Sequence, residues 1–289
     1  MALLRRLLTQ LIDLVLYSNA WIALAALLLV TQTRYLLLGE WQFTALEGFV
    51  FYATLSLYAV HRIIALEKLK GHPPTTRFQT IGRRRPDIIL YAILAGGGSL
   101  FFYLQLPRQV QISALAPALF SALYVLPVFR GRRRLRDFNY LKIFLVALVW
   151  TWVTVVLPAR QTSLNGQFPT ILLSVQRFFF IFAITIPFDI RDLAVDASTE
   201  VRTLPGSVGL RRARLLSLGL LTLAIGTALV LWRIDTYADP VFAGWTVSVL
   251  TAGALVWGAN PERHDYYFSG LIDGTMILQA GMVYLFSCM

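Results

Sequence analysis

Apolar residues run along this chain in continuous stretches about 20 residues long, the length a helix needs to cross a hydrocarbon layer of about 30 Å. Nine such stretches are predicted as membrane-spanning helices: Asp13 to Leu37, Phe43 to Leu66, Asp87 to Leu106, Ile112 to Phe129, Tyr140 to Leu157, Pro169 to Phe188, Arg214 to Trp232, Val241 to Ala259 and Ser269 to Phe286. Thr31-Gln32-Thr33-Arg34 interrupts the first stretch, which makes it the least regular. Strict two-residue alternation is absent, which argues against an outer-membrane barrel. The reading is therefore an all-α polytopic membrane protein whose residues 1–289 form a single transmembrane domain. Gly96-Gly97-Gly98 and Pro205-Gly206 are expected to mark turns or close helix approach, not domain boundaries.

Composition agrees with this pattern. The chain is 57% hydrophobic and only 14% charged, and its mean hydropathy is +0.65. Soluble domains carry about 25% charged residues. The net charge of +11 would suit a nucleic-acid partner, but the basic residues sit in the gaps between apolar runs, where membrane topology accounts for them. We therefore expect no nucleic acid among its partners. One set of gaps is rich in Lys and Arg: Arg5-Arg6, Lys68 to Arg85, Arg130 to Arg136, Arg191 to Arg214, and Arg263. The other set holds only Arg34, Arg108, Arg160 and Arg233. This asymmetry places the N-terminus and the long loops in the cytoplasm, and the expected location is the bacterial inner membrane. No cleavable signal peptide is expected, and the lone Cys288 allows no internal disulfide.

The densest candidate chemistry lies where the sixth stretch ends, at Pro187-Phe188-Asp189-Ile190-Arg191-Asp192-Leu193-Ala194-Val195-Asp196. At about 100° per residue, positions three and seven apart return to one face, so Asp189, Asp192 and Asp196 should share an arc and Arg191 should point away. Clustered carboxylates beside hydrocarbon require a counter-charge. Mg²⁺ suits them, because it typically sits between one or two carboxylates and a substrate phosphate. The alternative is an acidic face paired with Arg202, Arg211 or Arg212.

The segment DIRDLAVDASTEVRTLP resembles the second aspartate-rich motif of the UbiA superfamily of intramembrane prenyltransferases, D-x-x-D-x-x-x-D-x-x-x-G-x-x-T-L-P. Asp189, Asp192, Asp196, Thr203, Leu204 and Pro205 match it, and Glu200 stands where the family often has glycine. The resemblance implies nine helices around a central cavity, with Mg²⁺ as cofactor. It also implies a polyprenyl diphosphate as substrate, and transfer of its isoprenoid group to a hydrophobic or aromatic acceptor. Membrane lipid is the third expected partner.

The family's first motif, N-x-x-x-D-x-x-x-D at the end of the second span, is not kept. Ala59 and Ile63 replace the asparagine and the first aspartate, and Glu67 alone retains a carboxylate, the remaining metal-ligand candidate. His61 and Arg62 stand beside these positions. A planar, always-charged guanidinium suits bidentate phosphate binding, so Arg62 is a candidate for direct diphosphate contact. The alternative is a site that has lost prenyl transfer and binds lipid or isoprenoid without turnover. Tyr124, Arg130 and Lys142 are the plausible equivalents of the Tyr and basic residues that family members carry between the fourth and fifth spans. Asp273 lies one turn into the ninth stretch, where an acid should face a cavity or a partner. It is a candidate proton acceptor in the final deprotonation, or a structural partner of Arg177 or Lys142. Asn19 and Gln176 are expected to form interhelical hydrogen bonds. A transporter reading would require discontinuous helices and half-chain symmetry.

Overall fold

The structure is a computed structural model that describes residues 2–68, 85–128, 134–194 and 202–289, with the side chains of 2–9, 65–68 and 85 also outside the description. Among the described residues there is no strand. The helices in chain order are α1 (Ala2–Tyr17), α2 (Ala20–Leu38), α3 (Ala45–Lys68), α4 (Arg85–Leu104) and α5 (Arg108–Val125). A 3₁₀ turn, Leu135–Asp137, leads into α6 (Leu141–Ala159). There follow α7 (Phe168–Arg191), the short α8 (Leu204–Val208), α9 (Leu210–Arg233), α10 (Asp239–Trp257) and α11 (Tyr267–Ser287). Wide π-helical turns open α6 at Trp152–Val156 and start α11 at Tyr267–Ile272.

Each predicted span falls on one of these long helices. Seven of them, α2, α4, α6, α7, α9, α10 and α11, are long and apolar enough by length and composition to cross a membrane. The chain is an integral membrane protein. The first predicted span needs correction. Asn19 adopts a left-handed conformation (φ 66°) that breaks the helix, so Asp13 belongs to a separate N-terminal helix and the spanning segment begins at Ala20. Thr31 to Arg34 do not interrupt it. Gln32, Thr33 and Arg34 are buried, and the helix passes straight through them because tertiary partners satisfy their polar groups.

Those partners form two polar layers. Arg177 of α7 donates to Gln279 Oε1 at 2.9 Å and to Gln32 Oε1 at 2.6 Å, and Gln32 Nε2 donates to the Gln279 carbonyl at 3.3 Å. Arg34 donates to Gln161 at 2.8 Å and Gln42 at 3.2 Å and sits 3.7 Å from Glu47. Glu47 in turn accepts the Thr44 backbone N–H at 2.8 Å and caps the start of α3. Gln176 accepts from Tyr237, as an interhelical bond should. Tyr237 lies between α9 and α10, and burial raises its phenol above the usual tyrosine range.

The helix contacts trace a ring. It passes from α3 to α2, α11, α10, α9, α7, α6 and α5 and returns to α3, with α4 packed outside against α3. Within the ring α2 also meets the later turns of α6. One end gathers the start of α6, the end of α7 and the start of α11, together with Arg62 of α3. Close approaches hold the ring. A Cβ on Gly244 of α10 would stand 2.8 Å from the Met282 carbonyl oxygen of α11, and one on Gly98 of α4 would stand 3.0 Å from the Tyr52 ring of α3. Gly96-Gly97-Gly98 therefore serves close helix approach and not a turn.

Candidate functional site

Helix α7 delivers its acids at its last turn. Asp189 is buried at 2% exposure, and Asp192, at the C-cap, keeps 28% of its side chain accessible. Lys142 faces them from the second position of α6. Tyr140 (φ 61°) turns the chain sharply into that helix. Two bonds dock this turn on the segment before α8: Asn139 Oδ1 accepts the Arg202 N–H at 2.9 Å, and Tyr140 donates its N–H to the Arg202 carbonyl at 3.3 Å. Lys142 Nζ thereby lies 2.7 Å from Asp189 Oδ1 and 3.9 Å from Asp192 Oδ2. The two carboxylates converge on one point, as three-residue spacing on a helix requires.

Arg191 does not point away. It forks onto Asp192, with Nε–Oδ1 at 2.8 Å and Nη2–Oδ2 at 3.2 Å, and reaches Asp265 Oδ1 at 3.0 Å. The angular argument assumes an unbroken helix, and here the helix ends. Asp192 has φ −88° and ψ 4°, which lets adjacent side chains converge. The guanidinium also lies over the rings of Phe188 and Phe268, 5.1 Å and 5.8 Å from their centroids. Neither Asp189 nor Asp192 takes the partners Arg202, Arg211 or Arg212 named by the surface alternative. Asp196, Glu67 and Arg130 lie outside the described residues.

The facing wall is cationic. On α3, Arg62 donates to Asn19 Oδ1 at 2.8 Å, and Asn19 is the residue that breaks α1 from α2. His61 bonds Arg136 from the 3₁₀ turn, and the Arg136 guanidinium lies 5.4 Å from the Tyr124 ring centroid. That turn is held by Asp137, which accepts from the Arg134 backbone at 2.9 Å and from its Nη2 at 2.8 Å. Arg136, Arg134, Arg62 and Lys142 all act electrostatically on His61. Ala59 is fully buried, and among the described residues of α3 between Ala59 and Ile64 there is no carboxylate.

Asp273 stands just after the π-helical turn of α11. It interacts with Arg191 and Asp265 and also with Tyr58 of α3. Tyr58 in turn interacts with Tyr124 and bonds Trp150. Asp273 thus acts electrostatically both on the end of α7 and on the opposite wall. Arg177 bonds the two glutamines and Thr33, and Lys142 meets the aspartates of α7; the cation acting on Asp273 is Arg191 and not the expected Arg177 or Lys142. Nearby Tyr266 bonds Asp13 of α1, and burial, with that carboxylate adding to it, raises its phenol. Sequence reasoning missed Arg136 and Asp265. The distant pairing of a loop arginine with a helix-end histidine leaves no periodic signal, though Asp265 lies on the same helical run as Asp273 and shares its charge.

The donor chemistry fits Mg²⁺ in part. Two hard carboxylates converge, and a carboxylate has about four lone-pair sites, of which the Arg191 fork takes two on Asp192. Among the described residues no group of three His, Cys, Asp or Glu side chains gathers around one point. A third ligand would come from a residue outside the described ones, such as Asp196 or Glu67, from substrate or from water.

No protein-family model matches the chain, and no curated protein matches it. Solved structures do. A UbiA homolog from Aeropyrum pernix K1 superposes with a TM-score of 0.63 at 12% identity, covering 94% of this chain and 98% of that one. The chain has the UbiA fold. A UbiA homolog from Archaeoglobus fulgidus, solved with GPP and Mg²⁺, gives 0.62 at 12% identity over 94% of this chain and 99% of that one. A digeranylgeranylglyceryl phosphate synthase gives 0.57 at 15% identity, over 93% and 92%. The UbiA-fold ring therefore runs through nearly the whole chain.

Proposed function

We propose that this UbiA-fold protein is a superfamily member that transfers an isoprenoid group from a prenyl diphosphate to a hydrophobic or aromatic acceptor, with Mg²⁺. The observation that carries the reading is the convergence of Asp189 and Asp192 on Lys142 at the end of α7. The solved Archaeoglobus fulgidus homolog with GPP and Mg²⁺ supports it at the level of fold. Asp189, Asp192 and Asp196 would supply carboxylate oxygens to Mg²⁺, which neutralises a diphosphate leaving group. Arg62, Arg136 and Lys142 would add fixed positive charge, which costs no reorganisation as the leaving group forms. In the reaction the allylic C–O bond breaks, the acceptor bonds to the allylic carbon, and diphosphate leaves. The acceptor's proton would pass to Asp273, which interacts electrostatically with Arg191 and Tyr58. Positive-inside asymmetry supports a cytoplasmic N-terminus and a cytoplasmic site.

The second reading is a UbiA-fold protein that binds isoprenoid lipid without turnover. Ala59 and Ile63 at the positions of the first acidic motif favour it. One experiment separates the two. Purified protein in nanodiscs, with lipid extract as acceptor source, receives ³²P-labelled geranyl diphosphate and Mg²⁺. Release of labelled diphosphate that is lost in Asp189→Ala/Asp192→Ala supports transfer. Saturable binding with no release over a panel of phenolic and lipid acceptors supports the second reading.

A further inference from the structure

We propose that the polar layer built on Arg177 is a binding site for a small monovalent anion, a halide or a carboxylate, seated among the helices and apart from the aspartates. The inference stands independently of the prenyl-diphosphate reading. Arg177 lies in the middle of α7, twelve residues before Asp189, or about 18 Å along the helix. It is 2% exposed. Its guanidinium donates to Gln279 Oε1 of α11 at 2.9 Å, to Gln32 Oε1 of α2 at 2.6 Å and, at the limit of bonding, to Thr33 Oγ1 at 3.5 Å. All three acceptors are neutral. Among the described residues no carboxylate pairs with Arg177, and the titratable side chain that acts on it is Tyr237. A cation inside a membrane-spanning helix is costly to remove from water and normally has an anionic partner.

The rest of the layer is short of acceptors as well. Gln279 turns its carbonyl oxygen to the guanidinium, which leaves its Nε2 buried with no acceptor among the described residues. Turning this amide over would set N–H against N–H, so the guanidinium dictates its orientation. Gln176, next to Arg177 in sequence, accepts the Tyr237 hydroxyl at 2.7 Å and leaves its own Nε2 buried and unmet. The layer therefore holds one positive charge and two amide donors that want acceptors. The ligand that complements it accepts hydrogen bonds and carries one negative charge. A halide or a carboxylate meets both conditions. Water accepts but brings no charge, and a phosphate dianion brings more charge than one guanidinium balances. An anion held there would reinforce the ties that Arg177 makes from α7 to α2 and α11.

The test reads stability against anion. Full-length protein in nanodiscs is heated in sodium gluconate, chloride, formate or benzoate at equal ionic strength, and the unfolding midpoint is followed by tryptophan fluorescence. Chloride or formate should raise the wild-type midpoint by about 3 °C or more over bulky gluconate, saturably with concentration. A gain in chloride identifies a halide site; a gain confined to formate and benzoate identifies a carboxylate site. Gln279→Glu puts a carboxylate on the guanidinium with no change in size. In gluconate it should unfold no earlier than wild type does in its best anion, and its midpoint should no longer respond to the salt. Arg177→Met should lose the response too, and Arg211→Gln, at the exposed start of α9, should keep it. Equal wild-type midpoints in all four salts would overturn the inference. So would a response kept in Gln279→Glu, a response lost in Arg211→Gln, or a Gln279→Glu protein that unfolds earlier than wild type in gluconate.

Discussion

Replacing Asp189 with asparagine tests whether the enclosed ion pair couples α6 to α7. At 2.7 Å and an effective dielectric of about 20, Lys142 and Asp189 attract by about 6 kcal/mol; Asp192 at 3.9 Å contributes about 4 kcal/mol. Most of that attraction offsets the cost of removing both charges from water, so the pair's net worth is far smaller. Breaking it from one side is a different matter, because the remaining charge stays enclosed. Asp189→Asn and Lys142→Met should each destabilise by about 3 kcal/mol. The double variant, with no orphaned charge at this contact, should lose only about 2 kcal/mol, giving a coupling energy of about 4 kcal/mol. The measurement is reversible unfolding by SDS titration in mixed micelles for the four proteins of the cycle. Additive losses, with coupling below about 0.5 kcal/mol, would show that the contact is not an energetic unit and would remove the structural basis for treating Lys142 as the aspartates' counter-ion.

Two further outcomes are expected. Arg62→Met removes both a cation from the facing wall and the bond to Asn19, and should weaken geranyl S-thiolodiphosphate binding about tenfold, or ~1.4 kcal/mol, by isothermal titration in nanodiscs. Unchanged affinity would make Arg62 a structural latch of the α1–α2 break alone. Gly244→Ala drives a methyl against the Met282 carbonyl and the Phe286 ring, and should cost about 1–3 kcal/mol by the same SDS titration, with diphosphate affinity kept.

The spans were readable because hydrocarbon imposes both a length and an internal hydrogen-bonding rule on any helix within it. Each apolar run accordingly falls on a long helix among the described residues, and seven of those helices are long and apolar enough to cross a membrane. Failure came where polar residues are satisfied by distant partners. Gln32, Thr33 and Arg34 look like an interruption of α2, yet they meet Arg177, Gln279, Gln161 and Glu47 across the ring. The break at Asn19 was equally hidden, because a single left-handed residue leaves no mark on hydropathy. At the site, helical geometry correctly brought Asp189 and Asp192 together. It misdirected Arg191, because the helix stops one residue short of Asp192 and the periodic argument stops with it. That Lys142 would stand between the aspartates was beyond periodicity. It depends on Tyr140 turning the chain and on Asn139 docking to Arg202, two contacts between segments 60 residues or more apart in sequence.

The most direct test of the account is diphosphate release from ³²P-labelled geranyl diphosphate by the nanodisc-reconstituted protein, wild type against Asp189→Ala/Asp192→Ala, with Mg²⁺ and a lipid-extract acceptor pool. The account predicts release by wild type and a loss of at least 10³-fold in the double variant, about 4 kcal/mol of transition-state stabilisation. Equal release by both proteins, with the variant folded, would contradict it.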